Sequence, residues 1–170
     1  RGAIMPTQKS QSLEDLFVDM LKDTYSAENQ ILKALPKMIK KTTSDELRKC
    51  FETHLQQTET QIDRLERFAQ THDISLRGKK CVGMEGLIDE GKEVMDEFDE
   101  DFILDAGMIA AAQKIEHYEI AAYGTLISMA GKLGKDEGVD LLKETLDEEK
   151  ETDALLTKVA EETVNVQAES

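Results

Sequence analysis

The sequence predicts an all-α fold: a four-helix bundle of two antiparallel hairpins, joined by a long crossover that carries a short fifth helix. Four long segments repeat apolar residues at alternating spacings of three and four, the period of a helix with one buried face. The 170 residues include only 2 Pro and 10 Gly, so little interrupts those segments. No stretch of useful length alternates apolar and polar residues as a half-buried strand does.

The first long helix is expected from about Ser12 to Lys41. Ser12 is a candidate N-cap, and Glu14 and Asp15 follow in the first turn, where negative charge suits the helix dipole. Its stripe reads Phe17, Leu21, Thr24, Glu28, Ile31, Leu35, Met38, and Pro36 is expected to kink it or to sit near a weak point in it. The second helix spans about Asp45 to Thr71, with Ser44 as N-cap and the stripe Phe51, Leu55, Thr58, Ile62, Leu65, Ala69. The very short connection at Thr42–Thr43 forces the two helices to pack antiparallel. Residues 73–83 read as a linker and Met84–Phe98 as a short helix weakened by Gly86 and Gly91. The third long helix runs from about Asp101 to Lys132, with Met108, Ile115, Glu119, Ala122, Leu126, Met129 and Leu133 inward. The fourth runs from about Lys135 to Glu162, with Leu142, Leu146, Glu149, Asp153, Leu156 and Ala160 inward. Gly131 and Gly134 supply the turn between them. The domain is expected to cover 12–163, with a frayed or vector-derived tail at 1–11 and fraying at 164–170.

Composition excludes several functions. With 36 acidic and 21 basic residues the net charge is −15, which repels a phosphate backbone and argues against nucleic-acid binding. No window of 18 apolar residues exists to span a membrane. The N-terminal residues lack signal-peptide order. Cys50 and Cys81 are too few for a disulfide framework and read as reduced thiols, with a single disulfide as the alternative, so a cytoplasmic location is expected. His72 closes the second helix, where a cation suits the dipole. His117 points away from its helix's stripe and reads as surface or interface. Tyr25 and Tyr123 read as core residues whose hydroxyls can bond a ligand carboxylate.

The stripes contain residues that an apolar core does not explain. Glu28, Glu119, Glu149 and Asp153 stand where Leu or Ile is expected. Burying several uncompensated carboxylates in one core is prohibitive. A shared pair of divalent metal ions compensates them, because hard cations prefer carboxylate oxygens and imidazole nitrogens. Glu28, Glu119 and Glu149 each lie fifteen positions from their hairpin turns, about 22 Å along the axis, so they can meet near mid-bundle. The matching position on the second helix is Thr58, a poor ligand. His54 lies one turn nearer the first hairpin turn, and Glu116 and Asp153 lie one turn further from the second. These residues share a level only if the two hairpin turns sit at opposite ends, which a crossover over 73–100 allows. Glu59 flanks the stripe and is a secondary candidate.

Several stretches together carry a family likeness: DTYSAENQ at Asp23–Gln30, HLQQT at His54–Thr58, KCVGMEGLI at Lys80–Ile88, IAAAQKIEHYEIAAYGTL at Ile109–Leu126 and LLKETLDEEKETD at Leu141–Asp153. Over about residues 12–160 the chain resembles the ferritin-like superfamily, and within it the small bacterial YciE/YciF family. The resemblance implies a ferritin-like bundle, a di-metal site of iron or manganese, a cytosolic stress-associated role and a homodimer. It carries Glu28, His54, Glu116, Glu119, Glu149 and Asp153 over as metal-ligand candidates. The broader ferritin pattern places Glu-x-x-His on two helices; here helices 2 and 4 lack it, and only His54 reaches the core. Two functions follow as expectations. One is a di-metal carboxylate protein that handles iron or a small oxidant, O2 or peroxide, under stress. The other is a structural or interaction bundle whose core acids carry no metal and whose 81–98 segment meets a partner. An iron-storage cage of many chains is a weaker third.

Overall fold

The computed structural model describes residues 12–170; the tail expected at 1–11 lies outside the described residues. The helices are α1 (Leu13–Lys41), α2 (Asp45–Thr71), α3 (Val82–Glu97), α4 (Asp101–Lys132) and α5 (Val139–Val159). A π-helical turn at Ala160–Val164 and a last helix, α6 (Asn165–Ala168), follow without a break.

The ends of the helices form where the local chemistry places them. Ser12 and Asp15 make a reciprocal capping box at the start of α1, and the Ser44 hydroxyl accepts from Leu47 N at α2. The α4 helix closes on Gly134, whose φ of +67° allows Lys135 N to donate to Ala130 O at 2.9 Å. At the end of α2, Asp73 takes the same left-handed role at φ +53°, and Ile74 N donates to Ala69 O. Gly131, expected in the turn, lies inside α4, and the last long helix begins at Val139 rather than Lys135. The α1 helix runs uninterrupted through Pro36. The chain expected to fray from 164 is helical to Ala168, and Val164 is fully buried.

The two hairpin turns lie at opposite ends of the bundle. One half of the core joins Leu35, Met38 and Leu47, beside the α1–α2 turn, to Leu104 and Met108 at the start of α4 and to Leu156 and Val159 at the end of α5. The other half joins Phe17 and Phe68 to Leu126 and Ala130, before the α4–α5 turn, and to Leu142 after it. Around the ring each helix packs on two others, in the order α1, α2, α5, α4. The crossover returns along the bundle, with α3 lying on α1 and α4. Contact between α3 and α4 is close: a side chain at Gly107 would bring its Cβ to 2.5 Å from Val94 Cγ1. Cys81 and Met84 are wholly buried under this segment, and both cysteines are free. Segment 81–98, considered as a partner surface, spends its apolar face on its own bundle, leaving Val82 and Phe98 exposed.

Because α4 is covered on two sides, it is buried on two sides as well. Tyr123 and Ala130 occupy core positions, while Ala122 and Met129 are only partly buried. On α2 the buried face is Leu47, Phe51, His54, Thr58, Gln61, Leu65 and Phe68; Leu55 and Ile62 stand at its edge. On α5 it is Val139, Leu142, Thr145, Glu149, Thr152 and Leu156, with Leu146 and Asp153 at the edge.

A buried aspartate ties the turn of the first hairpin to α4. Asp105 accepts from Thr43 N at 3.0 Å, Thr43 Oγ1 at 2.8 Å and Ser44 N at 2.7 Å. Removing it would strand buried donors at the α1–α2 turn. Asp105→Ala is expected to lower stability by about 3 kcal/mol, read as a shifted urea midpoint with an unchanged slope. A loss under about 1 kcal/mol would show that water replaces the carboxylate there.

Candidate metal centre

Mid-bundle, side chains from α2, α4 and α5 converge. His54, Glu116, Glu119 and Glu149 each offer one ligand atom, and these atoms lie within 4.8 Å of one another. His54 is 3% exposed, Glu116 2%, Glu119 1% and Glu149 0%. His54 Nε2 approaches Glu116 Oε1 at 3.2 Å, without the alignment of a hydrogen bond. This proximity depends on the hairpin turns being at opposite ends, since otherwise the two would lie about two turns apart in depth.

Glu28 of α1 is fully buried beside this group, and its Oε1 accepts the Tyr123 hydroxyl proton. Of the two tyrosines considered, Tyr123 therefore reaches a candidate ligand; Tyr25 donates to Glu66 at 2.8 Å near the surface. Thr58 is buried, but its hydroxyl donates to His54 O within its own helix. Glu59 is exposed. Asp153, expected to join the cluster, is not brought into it. Its carboxylate faces outward along the α4–α5 seam, 3.2 Å from His117 Nε2, and accepts from Gln113 Nε2 at 3.2 Å. The cause is the rotation of α5, which turns Thr152 inward and leaves Asp153 at the edge. His117 is exposed, as its azimuth predicts, and His72 Nε2 lies 2.8 Å from Glu137 O at the far turn.

Gln61 went unrecognised in the sequence. It is fully buried, and its amide donates to Glu149 Oε1 and, at 3.0 Å, to Glu148 Oε2. Arg64 grips Glu148 with two N–H groups at 2.7 and 2.8 Å. The available signal was the spacing His54, Thr58, Gln61, Leu65: a helical stripe with three polar members.

Electrostatics make the cluster costly as it stands. Burial, and next the Glu149 charge, push the Glu28 carboxyl up to about 8. Burial lifts Glu116 and Glu119 well above the carboxylate range, with Glu149 the foremost neighbour in each case. Tyr123 is raised for the same reasons, burial and then the Glu28 charge. Eight buried side-chain atoms lack a hydrogen-bond partner among the described residues: Glu28 Oε2, both ring nitrogens of His54, Gln61 Oε1, Glu116 Oε2, both oxygens of Glu119, and Glu149 Oε2. Such atoms are rare in native cores. Here they are gathered around one mid-bundle cluster, and nearly all are hard oxygen or imidazole donors, the set that suits a divalent cation.

The family described as "Domain of unknown function (DUF892)" matches residues 12–169. The chain belongs to this family. Among its relatives, Protein YciF of Escherichia coli (strain K12) is 45% identical over 161 residues, which cover 94% of this chain and 97% of that protein. The crystal structure of the E. coli stress protein YciF matches with a TM-score of 0.88 at 45% identity, over 92% of this chain and 99% of that one. YcfI from Rhodopseudomonas palustris, described as a candidate structural protein, also matches at 0.88, with 42% identity over 92% of this chain and 99% of its own. A protein from Xanthomonas campestris pv. campestris, 20% identical, shares the fold at a TM-score of 0.73 over 93% of this chain and 97% of that one. This DUF892 chain is thus a YciF homologue with a ferritin-like helical bundle, the fold that the sequence motifs implied. No helix among its described residues is long and apolar enough to cross a membrane.

The raised carboxyls set a pH dependence for the metal-free DUF892 protein. Between the ordinary value of 4.5 and about 8, the unfolded chain has released protons that folded Glu28 still holds. Stability contributed by the neutral acid is complete below 4.5 and is lost as pH rises towards 8. In chelator, the protein is expected to melt at a higher temperature at about pH 5 than at about pH 8. Glu119→Gln should narrow that gap; a gap of the same size in the variant would place its source outside the cluster.

Proposed function

We propose that this chain is a ferritin-like divalent-metal carboxylate protein that holds an iron or manganese pair, acts on iron or a small oxidant under stress, and works as a cytoplasmic homodimer. Glu28, His54, Glu116, Glu119 and Glu149 are the residues that would hold the metal. The observation that carries this reading is the convergence of unpartnered buried oxygens and nitrogens. Four buried carboxylates present a formal charge of −4 when ionised, which two divalent ions match. Kinship with YciF, described as a stress protein in E. coli, supports the physiological setting.

When bound, such a pair supplies one-electron chemistry with O2 or peroxide. The chain's own residues prepare the cavity. Tyr123 donates to Glu28 Oε1 and so leaves Oε2 for the centre. Gln61 does the same for Glu149, leaving its Oε2. Arg64 fixes Glu148 and, through it, the Gln61 amide. Ile31, Leu35, Phe51 and Ile115 keep water from the α1–α2–α4 side. The competing reading, a structural bundle with neutral core acids, gains from the raised carboxyls and from the description of YcfI.

Loading with Fe(II) or Mn(II), followed by desalting and metal analysis, separates the two. The wild-type chain is expected to retain metal and, at a free concentration about 100 times Kd, to gain about 2.7 kcal/mol, raising Tm by roughly 5–10 °C. Glu119→Ala should lose both effects, whereas Asp153→Asn should keep them. Wild-type protein that emerges metal-free with an unchanged Tm would establish the structural reading instead.

A further inference from the structure

Two small cavities adjoin along α1 and α4, the outer one under α3 and the inner one facing α2. The outer one holds about 30 Å³ and is walled by Met38, Ile88, Gly91, Met95, Met108 and Ile115. The inner one holds about 10 Å³ and runs inward past Leu35 and Phe51 to His54 and Glu116. Ala34, Met38 and Ile115 line both, so the two cavities adjoin across these side chains. Outside, Lys37, Lys92 and Met95 connect the outer cavity to a surface hollow of about 280 Å³, where Lys40, Lys41 and Asp96 also stand. Surface hollow, outer cavity, inner cavity and the His54–Glu116 side of the cluster thus adjoin in succession.

We propose that these cavities form a passage under α3 that binds and delivers a small uncharged molecule of the dioxygen class to the His54–Glu116 side of the cluster; this rests on the metal-bearing reading of that cluster. The chemistry of the walls selects the cargo. A divalent cation meets Lys37, Lys40, Lys41 and Lys92 at the mouth and is repelled. Water and peroxide need several hydrogen-bond partners, and the apolar neck supplies almost none. A diatomic gas needs none, and the outer cavity exceeds the roughly 10–15 Å³ that one water-sized molecule occupies. Met38, the one methionine that lines both cavities, is unbranched and swings easily, so the constriction between them can open without moving a helix. At Gly91 a Cβ would meet only the Ala111 Cβ, at 3.5 Å, so the absent side chain is what keeps the outer cavity open.

Xenon is the probe for the passage alone. Crystals of the metal-free protein under xenon pressure are expected to show xenon between Met38, Ile88 and Met108, and crystals of Gly91→Leu none. Leu is a better helix former than Gly, so the variant should fold, and Ala34→Phe offers an independent block from α1. In Fe(II)-loaded protein, either block should slow oxidation by dissolved O2 about tenfold, a barrier increment of ~1.4 kcal/mol, while oxidation by added H2O2 keeps its rate. Absence of xenon from the wild-type cavity would overturn the proposal. So would equal O2 rates in the blocked variants, or equal slowing of O2 and H2O2. Because the xenon measurement needs no metal, failure of metal loading would refute the cluster reading without being mistaken for failure of the passage.

Discussion

The arrangement depends on the cost of placing charge in a medium of low polarisability. Four carboxyl groups and one imidazole occupy the middle of a bundle whose other layers are Leu, Ile, Phe and Ala. Without compensation each ionised acid loses several kcal/mol of hydration. The molecule has two ways to meet that cost. It can hold protons on the acids, as the upward-shifted Glu28, Glu116 and Glu119 indicate for the bare protein, or it can exchange those protons for metal. These are two occupancies of one site, and pH moves the balance between them: alkaline conditions weaken the protonated form and favour the metal-bearing one.

Everything that positions the cluster follows from its need for a common depth. His54 ascends from one hairpin turn and Glu116 and Glu119 descend towards the other. Turns at opposite ends bring them together, and turns at the same end would separate them. The crossover with α3 is therefore part of the site's construction, because it carries the chain back along the bundle between α2 and α4. Asp105 sits where that return finishes and grips the turn where the first hairpin reverses. It fixes the axial offset of α4 against α1 and α2, which a layer of interchangeable apolar side chains would hold less firmly.

The sequence disclosed the helices and the depth of the site better than their rotation. On α1 the apolar stripe and the buried face coincide from Phe17 to Met38, with Glu28 the only acid in it, and so its burial was legible. On α2 and α5 the stripe followed the apolar residues Leu55, Ile62 and Leu146, but His54, Gln61, Thr145 and Thr152 take the interior. The very polarity that makes this centre useful hides its azimuth, since apolar periodicity locates a core face only where the core is apolar. Gln61 was missed and Asp153 over-read for this one reason, a rotation of about one position on two neighbouring helices. Pro36 is a different case. Its missing donor argues for a kink or a weak point, and the helix continues through it with Leu35 and Met38 buried on either side.

The two sides of the cluster are chemically unlike. Towards α2 and α5 it is backed by a polar chain, Glu149 to Gln61 to Glu148 to Arg64, that reaches the surface beside Glu144. Towards α1 and α4 it is backed by Ile31, Ala34, Met38 and Ile115, with Tyr123 the principal hydroxyl. A rigid, hydrogen-bonded wall holds ligands in place, because each member's geometry is set by the next. An apolar, methionine-rich wall excludes ions and yields to small neutral molecules. A centre that must retain cations and still admit a reactant needs both properties, and a single lining cannot provide them. Dividing them between opposite faces of one four-helix layer resolves that conflict, and the single inward histidine stands at the boundary where the two walls meet.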